Sequence, residues 1–396
     1  MKEISKIASV IKASATLKVD ALYKQMKADG IDVVGFGAGE PDFDTPDNIK
    51  EAAYKAIREG QTKYTPANGI LALRQAASDR LLEDFGLKYD AGQIVVASGA
   101  KHCIYVALQV LLEPGDEVVL PAPYWVTYAE AIKMAGGVPV IVSAHEACDY
   151  KITKEQLEAA VTEKTKLFII NNPTNPTGML YSADEIRGLA DICVKHDLYV
   201  LSDEVYYRLV YDGKEFTSFA SSGKDVVERA IIVNGVSKSY AMTGWHVGYT
   251  ASNVRIAETM GNYLSHSTSS PSTISQLAAV EALCGSQDSI FAMRDEYEKR
   301  RNYIVERIGA IDGVSCRKPE GAFYVMLNIG KLIGRVLGGK TIKNSDDFAL
   351  AFLESGLVAV VSCSGFGCDK TVRLTYATSM ENIKEGMDRL ESFIGG

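Results

Sequence analysis

The sequence predicts an α/β protein. A mostly parallel sheet is covered by helices on both faces, and a second, smaller α+β domain accompanies it. Three observations predict this. Between residues 92 and 251, short apolar runs alternate with amphipathic stretches of helical period, as strands buried on both faces do. Polar loops rich in Gly, Pro and Asn follow several of these runs. After about residue 286 the texture changes to a long charged helix, weaker strands and a closing helix.

Each element has its own signal. QIVVASGA (93–100) reads as a short buried strand ending in small residues. A helix follows, stopped by Pro114 and Gly115, and then a second strand. KLFIINNP (166–173) is the next strand, and SADEIRGLADICVKHD (182–197) the next helix. Ser182 sits at its N-cap, with Glu185 three residues on. LYVLSDE (198–204), RAIIVNG (229–235) and HVGYTAS (246–252) are further strands. Residues 288–311 form a long amphipathic helix, GAFYVML, GLVAVVS and TVRLTYATS are weaker strands, and residues 380–394 close the chain as a helix. These shifts place a large domain at 47–286 and a small one joining 1–46 to 287–396. No internal repeat or low-complexity linker interrupts them.

Length and composition agree. At roughly 150 residues per domain, 396 residues suggest two or three domains. An apolar fraction of 47% with 23% charged residues excludes disordered and fibrous classes. A net charge of −8 repels phosphate backbones and argues against a nucleic-acid partner. No stretch approaches the roughly 20 apolar residues that span a bilayer, and the N-terminal residues lack the apolar region of a signal peptide. The 7 cysteines are scattered without a CxxC pair, which fits buried thiols in a reducing cytoplasm.

Two motifs invite a nucleotide and fail on context. Residues 334–341 match GxxxxGK[ST], and LYVLSDE resembles the acidic strand that accompanies a P-loop. The preceding strand ends too early, and the helix start falls at Asn344-Ser345-Asp346, after Thr341. A flexible surface loop is the expectation. Gly35-Phe-Gly37-Ala-Gly39 lacks the GxGxxG spacing and runs into Glu40-Pro41 instead of a helix.

The informative residues cluster at strand ends, where open α/β sheets bind ligands. Asn171-Asn-Pro-Thr-Asn175-Pro-Thr-Gly178 follows one strand. Asp203 ends the next, with Tyr206 three residues on, and a buried carboxylate there calls for a cationic partner. Lys238 follows a third strand in a Ser/Gly-rich loop. A lysine so placed, beside a strand-end carboxylate, suggests a Schiff-base lysine.

On these residues the chain resembles the fold-type I pyridoxal-phosphate aminotransferases, and within them the bacterial branch of the aspartate aminotransferases. The shared stretches are GAGEPDFDTP (37–46), TKYTP (62–66), PYWVTY (123–128), NNPTNPTG, SDEVYY, NGVSK, MTGW, GAFYV (321–325) and RLTYATS (373–379). They run in family order over nearly the whole chain. The resemblance implies a seven-stranded sheet in the large domain, pyridoxal 5′-phosphate as cofactor, and an amino acid and a 2-oxo acid as substrates. It also implies a homodimer with shared active sites.

It assigns roles residue by residue. Lys238 would hold the cofactor as an imine and shuttle a proton. Asp203 would keep the pyridine nitrogen protonated. Tyr206 and Asn175 would bond the phenolic oxygen, and Trp125 would stack on the ring. Gly99, Ala100, Lys101 and Ser237 would hold the phosphate at a helix start, and Tyr64 would reach the neighbouring subunit's phosphate. Arg373 would grip the α-carboxylate and Gly39 would offer its backbone. Lys101, Ser14 and Thr16 would meet the distal carboxylate of an acidic substrate.

One position departs. The family writes MTGWR where this chain has His246, which is shorter and only partly charged near neutral pH. The implied reaction is amino transfer from aspartate or a similar amino acid to 2-oxoglutarate. A lyase using the same cofactor, an aromatic or prephenate-type substrate, and more distantly a P-loop nucleotide binder are the alternatives.

Overall fold

The structure is a computed structural model and describes residues 3–5, 8–9, 11 and 16–395. A short strand, β1 (Val34–Gly35), precedes the main sheet. That sheet is built from β2 (Ile94–Ala97), β3 (Glu117–Ala122), β4 (Val138–Ser143), β5 (Thr165–Asn171), β6 (Tyr199–Asp203), β7 (Ala230–Gly235) and β8 (Gly248–Ala251). Among the described residues it has seven strands, in the order β2-β8-β7-β6-β5-β3-β4. Pairing is parallel except at β8, which runs antiparallel to both β2 and β7.

Alternation along the strands explains the apolar runs. Ile94 and Val96 pack on one face of the sheet and Val95 and Ala97 on the other. Phe168 and Ile170 of β5 face a third cluster, while Leu167 and Ile169 join the cluster of Val95. All eight are buried, so neither face tolerates polarity. Each large apolar side chain so buried contributes about 1.5–3 kcal/mol. Helices Ala100–Leu111 and Val254–Ser267 cover one face, and Leu71–Phe85 and Thr273–Cys284 the other. The predicted capping box is present: Glu185 N–H donates to Ser182 Oγ (3.3 Å), and Ser182 N–H to Glu185 Oε2 (2.7 Å). Helix Ala100–Leu111 ends ahead of the predicted stop at Pro114 and Gly115, because Leu112 already has extended backbone (φ −97°, ψ 139°).

A second layer holds β9 (Tyr324–Asn328), the pair β10 (Val336–Leu337) and β11 (Lys340–Thr341), then β12 (Val358–Ala359), β13 (Val361–Ser362) and β14 (Thr371–Thr375). β13, β14 and β9 form an antiparallel sheet. β1 pairs parallel with β12, so residues 34–35 belong with the C-terminal layer. Val34 and Phe36 share one core with Ile304, Phe348 and Leu390.

The P-loop lookalike is not the flexible loop expected. Residues 336–341 form a tight hairpin, turning through Gly338 and Gly339 at φ 53° and 78°. Lys340 Nζ pairs with Glu354 at 2.5 Å. Helix Ser345–Gly356 starts where the sequence placed it, capped by Asn344, whose Oδ1 accepts from Asp347 N–H at 3.0 Å. Lys340 and Thr341 therefore open no helix. Likewise β1 leads from Gly35 into extended chain, and the next helix begins only at Asp47. Among the described residues no helix is long and apolar enough to cross a membrane.

Candidate active site

A cavity of about 1020 Å³ opens at the carboxyl ends of β5, β6 and β7. It is lined by Gly39, Gly99, Ala100, Lys101, Trp125, Asn175, Asp203, Tyr206, Ser237, Lys238, His246 and Arg373, so most of the sequence-predicted site residues meet in one place. Tyr64 does not join them. It is fully exposed, beside Ser270–Ile274 on a separate surface depression. Ser14 lies outside the described residues. Thr16 opens the helix Thr16–Ala28, and its side chain is outside the description as well.

The floor is Asp203. Its carboxylate is buried and accepts from Tyr128 Oη (2.6 Å, to Oδ2) and from Val205 N–H (3.3 Å, to Oδ1). Burial pushes it up to about 6, against the pull of those donors and of Lys238. The expected cationic partner is thus not in contact. The direct partner is the Tyr128 hydroxyl, with the lysine acting at a distance. Sequence reasoning missed Tyr128, although it closes the PYWVTY stretch. It lies three residues after Trp125, and the two rings meet edge to face at 5.4 Å.

Lys238 is half-buried, and its Nζ donates to Gly39 O at 2.6 Å. Burial, and then the charge of Arg373, push it down to about 8. About a tenth of the amine is therefore neutral at pH 7, and neutral amine is the form that acts as a nucleophile or takes up a proton.

Arg373 reaches the cavity from β14, buried, with its guanidinium carbon 4.4 Å from the Tyr324 ring centroid. Nη1 donates to Asn175 Oδ1 at 3.0 Å and Nη2 to Gly37 O at 3.2 Å, while Nε has no hydrogen-bond partner among the described residues. With the Asn175 oxygen occupied, its NH₂ is the end left to face the cavity. Gly37 and Gly39 belong to the glycine run rejected as a dinucleotide motif. Its backbone carbonyls serve Arg373 and Lys238 instead.

An anion cradle adjoins this group. Helix Ala100–Leu111 has Gly99 as N-cap (φ 85°), so no side chain caps its first N–H groups. A Cβ on Gly248 would overlap the backbone of Gly99 and Ala100, so β8 reaches the helix start only as glycine. His246 stands beside Gly99 in left-handed backbone (φ 51°). Lys101 Nζ lies 5.1 Å over the Trp125 ring. Tyr206 Oη is 3.0 Å from Tyr324 Oη, a second residue without a sequence-stated role.

Comparison with known proteins agrees with this architecture. The family described as aminotransferase class I and II matches residues 31–390. An aspartate aminotransferase of Bacillus sp. (strain YM-2) is 46% identical over 381 residues, covering 96% of both chains. An aspartate/prephenate aminotransferase of Cereibacter sphaeroides is 44% identical, covering 98% of this chain and 97% of its own. The crystal structure of the aspartate aminotransferase from Rhizobium meliloti superposes with a TM-score of 0.96 at 39% identity, covering 100% of this chain and 99% of that one. The chain belongs to the aminotransferase class I and II family and is a pyridoxal-phosphate-dependent aminotransferase.

The residues present fit that cofactor. A buried carboxylate suits a protonated ring nitrogen, an uncapped helix start suits a phosphate, and a lysine with lowered pKa suits covalent attachment.

Proposed function

We propose that this aminotransferase takes the amino group of L-aspartate, or a similar amino acid, and passes it to 2-oxoglutarate. One observation carries the reading: Lys238, Asp203, Arg373 and Lys101 open onto a single cavity. Arg373, placed over the Tyr324 ring and oriented by Asn175 and Gly37, binds the substrate α-carboxylate with its fork. Lys101 supplies a second positive charge for a distal carboxylate, with Ser14 and Thr16 closing over it. The names of the Bacillus and Rhizobium relatives support an acidic substrate. The name of the Cereibacter relative supports prephenate as a further acceptor.

Bound pyridoxal phosphate supplies an electron-withdrawing ring that stabilises negative charge at the substrate α-carbon. Asp203 holds the proton on the ring nitrogen. Tyr206 and the Asn175 NH₂ donate to the phenolic oxygen. Trp125 would supply an aromatic surface for the ring. Lys238 would hold the cofactor covalently, and its amine would move the proton at the substrate carbon. Gly99, Ala100, Ser237 and His246 hold the phosphate. Gly39 keeps the Lys238 amine aimed at the cavity.

The chain acts in the cytoplasm as a homodimer, with exposed Tyr64 reaching the partner's phosphate. A large domain at 47–286 and a small one joining 1–46 to 287–396 flank the site, and the pairing of β1 with β12 supports that division. Reductive trapping with borohydride, peptide mapping and a panel of amino donors test the reading together. Label on Lys238 and fastest turnover with aspartate are expected. Label on another lysine overturns the site, and faster turnover of neutral donors overturns the substrate.

A further inference from the structure

We propose that Tyr324 is a positioning residue that couples the two halves of the site. Its hydroxyl sets how strongly Tyr206 donates toward the cofactor, and its ring holds the guanidinium of Arg373 for the substrate carboxylate. The inference rests on the roles of Tyr206 and Arg373 in the function proposed above.

Tyr324 lies in the GAFYV stretch, to which the sequence attaches no role. It begins β9, which pairs antiparallel with β14, Tyr324 opposite Thr375 and Met326 opposite Arg373. Arg373 is two residues from Thr375, so it and Tyr324 are diagonal neighbours on one face of the sheet. The guanidinium carbon sits 4.4 Å from the Tyr324 centroid and 5.5 Å from that of Phe366. A planar cation lying on two rings loses rotational freedom and presents its edge.

The hydroxyl acts at the other end of the same ring. Tyr206 and Tyr324 are both buried, with their oxygens 3.0 Å apart. Tyr324 is the hydrogen-bond partner of Tyr206, and either hydroxyl can be the donor; burial first, and then Tyr324, raise the Tyr206 phenol above its ordinary value. A phenol carries one proton. When Tyr324 donates to Tyr206, the Tyr206 proton is free for the cavity, and its donation is strengthened by about 10–30% through the chain of hydroxyls. A Cβ on Gly39 would lie 3.5 Å from the Tyr324 oxygen, so the hydroxyl also adjoins the backbone that receives Lys238.

The two roles separate chemically. Phenylalanine keeps the ring and removes the hydroxyl; leucine removes both. The holoenzymes of Tyr324→Phe, Tyr324→Leu, Tyr206→Phe and Tyr206→Phe/Tyr324→Phe are compared by circular dichroism, by the pH midpoint of the bound cofactor's absorption, and by the Kd of maleate. Tyr324→Phe should raise the midpoint by about half a pH unit, the scale of one weakened hydrogen bond, and leave maleate binding within about twofold. Tyr324→Leu should raise it similarly and weaken maleate about tenfold, the scale of a desolvated cation–π contact. In the Tyr206→Phe background, Tyr324→Phe should add no further shift.

An unmoved midpoint in Tyr324→Phe, or equal loss of maleate in the Phe and Leu variants, overturns the inference. If Tyr206→Phe itself leaves the midpoint unmoved, the assignment of Tyr206 fails first and takes the hydroxyl role with it. Tyr324→Met replaces the leucine variant should that one not fold.

Discussion

Replacing Glu204 by glutamine probes a carboxylate that the reaction does not use. Glu204 is fully buried directly behind Asp203. Its Oε1 accepts from Ser202 Oγ (2.9 Å), Ser218 Oγ (2.9 Å) and Phe219 N–H (3.1 Å), while Oε2 has no hydrogen-bond partner among the described residues. Burial raises it from the ordinary 4.5 to about 7, and the charge of Asp203 adds to that. A carboxyl whose folded value lies above its unfolded value binds more protons folded. Its contribution is fully present below pH 4.5 and is lost as pH rises to about 7. At about 1.4 kcal/mol per pH unit, this interval amounts to roughly 3 kcal/mol of unfolding free energy. Glutamine fills the same space, keeps a carbonyl oxygen that can accept from Ser202, Ser218 or Phe219, and does not titrate. Denaturant titrations of both holoenzymes at pH 5 and pH 8 should show Glu204→Gln gaining stability over the parent by roughly 2.5 kcal/mol between the two pH values. Parallel pH profiles for the two proteins would refute the reasoning.

Other substitutions test the site directly. Tyr128→Phe removes a 2.6 Å bond to the buried Asp203 carboxylate. A bond to a charged group is worth about 1.5–3 kcal/mol, so kcat should fall by roughly tenfold or more with the fold intact by circular dichroism. Lys101→Ala should raise KM for aspartate and glutamate far more than for alanine, in steady-state kinetics over a donor panel; an equal rise for all donors assigns Lys101 to the phosphate. His246→Arg should tighten cofactor binding by up to about tenfold in equilibrium dialysis, because a longer cation beside Gly99 reaches the uncapped helix start. An unchanged Kd removes residue 246 from the phosphate site.

Much of the fold was legible because both sheet faces are buried. Continuous apolar runs such as Ile94–Ala97 and residues 230–233 cannot be surface strands, and the capping box at Ser182 marks its helix within a residue. The direction of β8 was not legible. Its apolar run reads the same whether parallel or antiparallel, and the connection from β7 through residues 236–247 is long enough for either. The hairpin at 336–341 was misread as a flexible loop because two-residue strands carry too little periodicity to register.

Within the site, the limit lay in side-chain direction. Asp203 and Glu204 are adjacent acids at the end of β6, and nothing in the residue types says which one serves the cofactor. Strand alternation decides. Asp203 faces the cavity with Tyr128, whereas Glu204 turns with Ser202 to the opposite side and is tied to Ser218 and Phe219. The same alternation places Arg373 and Tyr324 on one face of the small sheet, on strands far apart in chain order but paired and in contact. Tyr128 and Tyr324 escaped notice because a buried tyrosine is an ordinary core residue until its hydroxyl partner is known. Each partner, Asp203 or Tyr206, lies on a different element, so the partnership exists only after folding. The residues that touch the substrate or cofactor were readable as types. The residues that aim them are specified by register, which the chain expresses only once its strands have paired.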